Sequence, residues 1–167
     1  MAKLELKGMA DYLRELQAVS NATSGVCKAV VYAGAEVVAN AIRAETEALS
    51  TVTDVEALAA ARKGIPTKIS ESQKAALLES LGSTPITRGK SGKIQTSVGF
   101  GGYNNIKTKR WPNGQPNNLI ARSCNKGSSA MLEQHFVDRA LNKCTAKAVS
   151  AMQDEMEKQI EKAKGGK

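Results

Sequence analysis

Two apolar stripes at helical spacing, one near each end of the chain, set what this sequence can build. The first runs through Val26, Val30, Ala33, Val37, Ala41 and Ala44, in steps of four, three, four, four and three. The second starts at Phe136 and carries Val137, Leu141, Cys144, Ala148, Met152, Met156 and Ile160. Such spacing puts the apolar residues on one face of a long helix. It predicts helices over 26–49 and 136–160. Aromatic residues make up only 4% of the chain, so Ala, Val, Leu and Met must fill the core. Both stripes are therefore expected to be buried in the same domain. A chain of 167 residues holds one ordinary core and not two.

Shorter signals fill the interval. Residues 3–7 alternate polar and apolar as a half-buried strand does, and Gly8 ends them. A short amphipathic helix is expected over 9–19, followed by a linker at 20–25. Thr53-Asp54-Val55-Glu56 and Ser70-Glu71-Ser72-Gln73 both fit the capping box that opens a helix. Gly64 and Gly82 stand where left-handed caps would close those helices, and Ile65-Pro66 breaks the chain between them. Residues 93–100 read as one strand with Ile94, Val98 and Phe100 on one face. Gly99, Gly101 and Gly102 mark a bulge or tight turn after it. Residues 103–115 have no period and are rich in turn formers, which predicts an exposed loop, mobile in the isolated subunit and ordered by a neighbour. Pro116 is expected at the first position of a helix that Gly127-Ser128-Ser129 closes. The end of the chain, at about 163–167, should fray. With no repeat and no linker rich in Pro or Gly, residues 1–167 read as a single α+β domain with a helical insertion at about 53–82.

The charge is unevenly placed. The chain has 24 basic and 16 acidic residues, a net charge of +8. Between Ser80 and Leu132 there is no Asp or Glu, but there are Arg88, Lys90, Lys93, Lys107, Lys109, Arg110, Arg122 and Lys126. These eight account for the whole excess. A neutral helical body with one basic module implies a surface that meets negative charge, either phosphate or an acidic protein face. Within it, Lys107, Lys109 and Arg110 run into Trp111, so base and aromatic lie together. The candidate contact residues are Arg88, Lys90, Lys93, Lys107, Lys109, Arg110 and Trp111.

Catalytic patterns are missing. His135 is the one histidine, and it has no Ser or Cys partner at a motif spacing. Gly99-Phe100-Gly101-Gly102 lacks dinucleotide-fingerprint spacing. Cys27, Cys124 and Cys144 are odd in number and form no CxxC pair, so they read as free thiols and not as a disulfide or zinc framework. Met1 and the residues after it carry too much charge for a signal sequence, and unbroken apolar runs such as 29–35 are short against a membrane span. The chain reads as a binding or structural protein without catalytic, cofactor or metal residues. No membrane contact is expected.

An ordered set of short motifs adds a resemblance. Val98-Gly99-Phe100-Gly101-Gly102-Tyr103 is followed by Gly114-Gln115-Pro116-Asn117, Leu119-Ile120-Ala121-Arg122, Gly127-Ser128-Ser129, and Phe136-Val137 with Ala140. Together with Leu6-Lys7-Gly8-Met9, these resemble the tail-component family of tailed bacteriophages, the neck and tail-completion proteins related to the lambda Z-type tail protein. The form is similar to that of phages of Gram-positive hosts. Asn125 stands where that family often has an acidic residue, and His135 where it often has Pro. The resemblance implies a small, mainly antiparallel sheet packed against a long helix. Gly99, Phe100, Gly102, Tyr103, Pro116, Asn117, Ala121, Arg122, Gly127, Ser128, Phe136 and Ala140 would be its structural residues. It also implies a virion structural protein of the neck that acts in tail completion and head–tail joining. Such a protein would form a homo-oligomeric ring, expected to have six copies, in contact with neighbouring neck and tail proteins and with DNA in the channel as a further contact. A tail terminator ring capping the tail tube is the nearest alternative, and a basic DNA-binding regulator is the alternative from another class. Assembly would take place in the host bacterial cytoplasm.

Overall fold

The computed structural model describes residues 9–88 and 94–165, with side chains described over 25–87 and 94–162. The strand expected at 3–7 lies outside those residues, as do Lys90 and Lys93. The helices are α1 (Met9–Glu47), α2 (Asp54–Lys63), α3 (Glu71–Ser80), α4 (Asn117–Lys126) and α5 (Phe136–Gly165). The strands are β1 (Thr51–Val52), β2 (Ile69–Ser70), β3 (Leu81–Ser83), β4 (Thr87–Arg88), β5 (Ile94–Gln95) and β6 (Val98–Phe100). The class is α+β.

Helix α1 is continuous, without the linker expected at 20–25. Ser, Asn and Thr cost a helix only a few tenths of a kcal/mol each, and Gly about 1 kcal/mol. Without Pro, that stretch does not break. Its buried face is also shifted from the expected stripe by one position. Ala35, Ile42, Thr46 and Leu49 are buried and the half-buried Val38 and Ala41 pack against the core, whereas Val37 is half-buried outside that packing and Ala44 is exposed. The apolar arc of α1 is wide, so spacing alone does not decide which edge faces inward. The larger Ile42 and Leu49 turn in, and Thr46 follows because its hydroxyl donates to the Ile42 carbonyl at 2.7 Å.

Helices α1 and α5 pack antiparallel along their length. Gly34 lies against Met152, and Glu45 reaches Arg139 and Lys143 at the other end. On α5 the buried residues are Phe136, Ala140, Cys144 and Ala148. Leu141, Met156 and Ile160, expected in the same stripe, face outward.

Both capping boxes form. Thr53 and Ser70 accept from the backbone of Glu56 and Gln73, whose side chains reach back. Gly64 closes α2 in the left-handed region (φ 68°), as expected. Gly82 does not cap α3: the helix stops at Ser80 with Leu81 extended, and Gly82 pairs inside β3. Strand β1 pairs parallel with β2, whereas β3–β6 and β4–β5 are antiparallel. The single strand expected at 93–100 is two, interrupted at Thr96 and Ser97. There Thr84 takes over the bonding: its carbonyl accepts from the Thr96 hydroxyl at 2.6 Å and its hydroxyl from the Ser97 amide at 3.0 Å. Pro116 is the N-cap of α4, one place before the expected position.

Candidate interaction surface

Part of the family-like motif converges on one edge of the core, whereas Tyr103, Arg122 and Ser128 are exposed. Leu81 and Phe100 are register partners across β3–β6. After β6, the amide of Asn117 donates to the Gly102 carbonyl at 3.1 Å, and its side-chain amide to the Gly101 carbonyl at 2.9 Å. Gly102 turns with φ 64°, and Tyr103 bridges to Pro116. These bonds fasten the start of α4 to the end of β6. Ala121 and Ala140 are buried, whereas Arg122 is exposed. Gly127 ends α4, and Ser128 and Met131 close the next turn with reciprocal backbone bonds.

The departures from the motif have local roles. Asn125 is buried; its carbonyl oxygen accepts from the Val137 amide at 2.8 Å, and its amide donates to Asp138 at 3.1 Å. It caps the start of α5 from a neighbouring helix. Lys126, 2.7 Å from Asp138, holds that carboxyl below its ordinary value, with Asn125 assisting after the cost of burial. His135 is exposed at positive φ (46°) just before α5.

The loop 103–115 is exposed, but its base is tied within the chain. Asn104 and Gln115 hold it closed: the Asn104 amide donates to the Gln115 carbonyl, and the Gln115 amide to the Asn104 side chain, both at 2.9 Å. Gln73, from the capping box of α3, donates to the Gln115 side chain at 2.9 Å. Thr108 and Trp111 exchange backbone bonds at 3.0 Å across the tip. Gly114 (φ 107°) lies so close to Asn104 that a Cβ there would stand 1.9 Å from the Asn104 carbonyl oxygen. The loop is exposed as expected, and its base is bonded within the chain. The missed signal was Asn104, whose side chain bonds the backbone two residues on, at Ile106, in an Asx turn.

At this tip Lys107, Lys109 and Arg110 are exposed, Trp111 is half-buried, and the Arg110 guanidinium sits 5.4 Å from the Trp111 ring centroid. Among the described residues none of Lys107, Lys109, Arg110 and Arg122 has an ion-pair partner, whereas Lys126 is taken by Asp138. Arg88 ends β4, with its side chain outside the described residues. The structure therefore joins Lys107, Lys109, Arg110 and Trp111 in one surface and leaves Arg122 on α4.

Beside the loop, between α2, β2 and α4, runs a groove of about 560 Å³ that the sequence did not suggest. Ala57, Leu58, Ile106, Ile120 and Met131 supply apolar lining, and Lys68, Lys107 and Asp54 are among its polar residues. Helix α2 has no buried residue, and Leu58 remains 54% exposed. The Ser72 hydroxyl ties α2 to α3 through the Asp54 carboxylate. Ser70 and then Ser72 hold that carboxyl below its ordinary value.

Among the described residues, no three or more His, Cys, Asp and Glu gather in a way that could hold a metal ion. The cysteines are free: Cys124 and Cys144 are buried and Cys27 half-buried. Burial pushes the Cys124 thiol up to about 11. Comparison with protein-family models, curated proteins and solved structures finds no match to this chain.

Proposed function

We propose that this chain is a structural protein of a tailed-phage neck and not an enzyme, acting in tail completion and head–tail joining as one subunit of a ring. The observation that carries the reading is the convergence of the motif residues. Phe100, Gly101, Gly102, Pro116, Asn117, Ala121, Phe136 and Ala140 are far apart in sequence, yet they build one corner of the core and its connections. A motif that serves packing in this way suits a protein whose work is to hold a shape. The exposed basic loop beside that corner gives the subunit a surface for an acidic neighbour. Its location would be the virion neck, after assembly in the host cytoplasm.

Electron microscopy of particles assembled without this protein tests the reading. Tailless heads beside free, full-length tails are the expected result. Overlong tails would move the protein to the tail terminator. Normal particles, together with a tight and strongly salt-dependent complex of the isolated protein with duplex DNA, would replace the neck reading with a regulator.

A further inference from the structure

The hairpin of α1 and α5 leaves apolar surface uncovered. An 18-residue window within Gly25–Glu47 of α1 has a mean hydropathy of 1.3, and 17% of that window is fully buried, most of its other apolar residues being half-buried. On α5, Leu141, Val149, Met156 and Ile160 are between 39% and 51% exposed. Val149, Met156 and Ile160 fall on one side of the helix, apart from the buried Ala140, Cys144 and Ala148, and Leu141 stands at the edge between the two. Glu157 and Glu161 directly follow Met156 and Ile160, so they flank that side by about 100° of rotation. Both are exposed. From 151 to 162, α5 carries Asp154, Glu155, Glu157 and Glu161 against Lys158 and Lys162, a net charge of −2.

The groove beside α2 has the opposite character. Its volume of about 560 Å³ falls in the range of ~300–1,000 Å³ typical of seats for bound apolar groups. Lys68 and Lys107 line it beside Asp54, whose carboxylate is taken up by Ser70 and Ser72, while Arg62 and Lys63 end α2 beside it and Lys109 and Arg110 continue the loop. All six basic residues are exposed. An apolar seat with a basic rim thus stands on the same chain as an apolar stripe with an acidic flank.

We propose that the exposed stripe of α5 in one copy docks into the α2 groove of a second copy. Val149 and Met156 would enter the seat, and Glu157 and Glu161 would face Lys68 and Lys107. Stripe and groove are different patches, so the contact is heterologous and runs head to tail, closing into a ring when the rotation allows. The inference rests on the ring reading above and gives its interface. A bilayer is a poorer cover, because it would have to desolvate the flanking carboxylates as well as the stripe.

The experiment is light scattering on size-separated full-length protein, with two variants that reverse charge on exposed residues only. One carries Lys68→Glu with Lys107→Glu, the other Glu157→Lys with Glu161→Lys. Circular dichroism should show both folded. The wild type should associate, and each variant alone should associate at least tenfold more weakly. A mixture of the two variants has both cross-pairings competent, because each reversed patch meets its complement on the other variant, and should assemble as an alternating array. A single chain with all four changes should recover wild-type assembly. Val149→Ser with Met156→Ser should give the same loss without altering charge. The proposal is overturned by a wild type that stays monomeric at its highest soluble concentration. It is equally overturned by variants that associate normally, by a mixture that stays monomeric, or by a stripe that binds anionic vesicles instead of a second copy. These outcomes are separate from the particle test. Head-to-tail association without a joining defect would sink the neck reading alone, and a joining defect with a monomeric protein would sink this interface alone.

Discussion

Phe100 and Phe136, the two phenylalanines of the chain, meet with ring centroids 5.9 Å apart and planes tilted by 54°. The contact ties the last residue of β6 to the first residue of α5 across 36 positions of sequence. Phe136 is fully buried, and Phe100 packs against the same cluster. Phe136→Ala should therefore cost about 3–5 kcal/mol. A double-mutant cycle with Phe100→Leu should give a coupling of about 0.5–1.5 kcal/mol. Urea midpoints measure both. Coupling indistinguishable from zero would mean that the rings do not share one environment.

Val38 is half-buried but packs against the core cluster, so Val38→Asp should destabilise by several kcal/mol by setting an unpaired charge against it. Val37→Asp, one place along, should cost clearly less, because Val37, equally half-buried, is not among the residues packed against that cluster. Thermal melts of the pair decide which edge of α1 faces the core. Equal losses would show that the arc is covered on both sides.

That contrast shows what was legible in the sequence. Helical periodicity placed both long helices, and capping chemistry placed the starts of α2 and α3, since those signals act within a few residues. The choice between Val37 and Val38, and the outward turn of Leu141, depend on partners far along the chain. The groove was not legible at all, because Leu58, Lys107 and Met131 meet only through tertiary packing. The basic surface was half legible. Composition found Lys107, Lys109 and Arg110, but the cancellation of Lys126 by Asp138 is a fact of geometry.

Two glycines pack closely but should respond differently to alanine. At Gly114 a methyl group would stand 1.9 Å from a backbone oxygen, at a φ of 107° that alanine rarely adopts. At Gly34 it would meet the Met152 side chain at 2.7 Å, and a methionine can move. Gly114→Ala should release the loop, seen as faster hydrogen exchange at Asn104 and Gln115 while the core stays protected. Gly34→Ala should cost about 1 kcal/mol at most, with part recovered by Met152→Ala. Unchanged exchange in the first variant would show that the loop is not held through that contact.

The stability should fall in acid through Glu45. Lys143 and then Arg139, 2.5 and 2.8 Å away, hold the Glu45 carboxyl below its ordinary 4.5. The folded state therefore binds this proton less tightly than the unfolded chain. The contribution is full above pH 4.5 and is lost as pH falls through the lowered folded value. Both cations are open to solvent, so Glu45→Gln should cost only about 1 kcal/mol at neutral pH. The variant should also have a shallower acid slope, read from urea midpoints across the acid range. An identical slope would assign the acid sensitivity to other carboxylates.

The basic loop should carry the most salt-sensitive contact of the protein. Exposed charge contacts weaken as the Debye length falls from about 10 Å at 0.1 M salt to about 3 Å at 1 M, whereas buried helix contacts hardly respond. Lys107, Lys109 and Arg110 are exposed and have no ion-pair partner among the described residues, so serine at all three should leave the fold intact. The melting temperature should stay within a few degrees of wild type, as surface changes usually allow. The yield of joined particles should drop, and the remaining joining should depend less on salt. If the neck reading proposed above holds, an acidic protein face is the favoured partner, because a channel that must release DNA would gain little from a tight grip on phosphate. Retained binding of an acidic neighbour by the triple variant, with a normal yield and the wild-type salt response, would reduce the loop to a solubility feature.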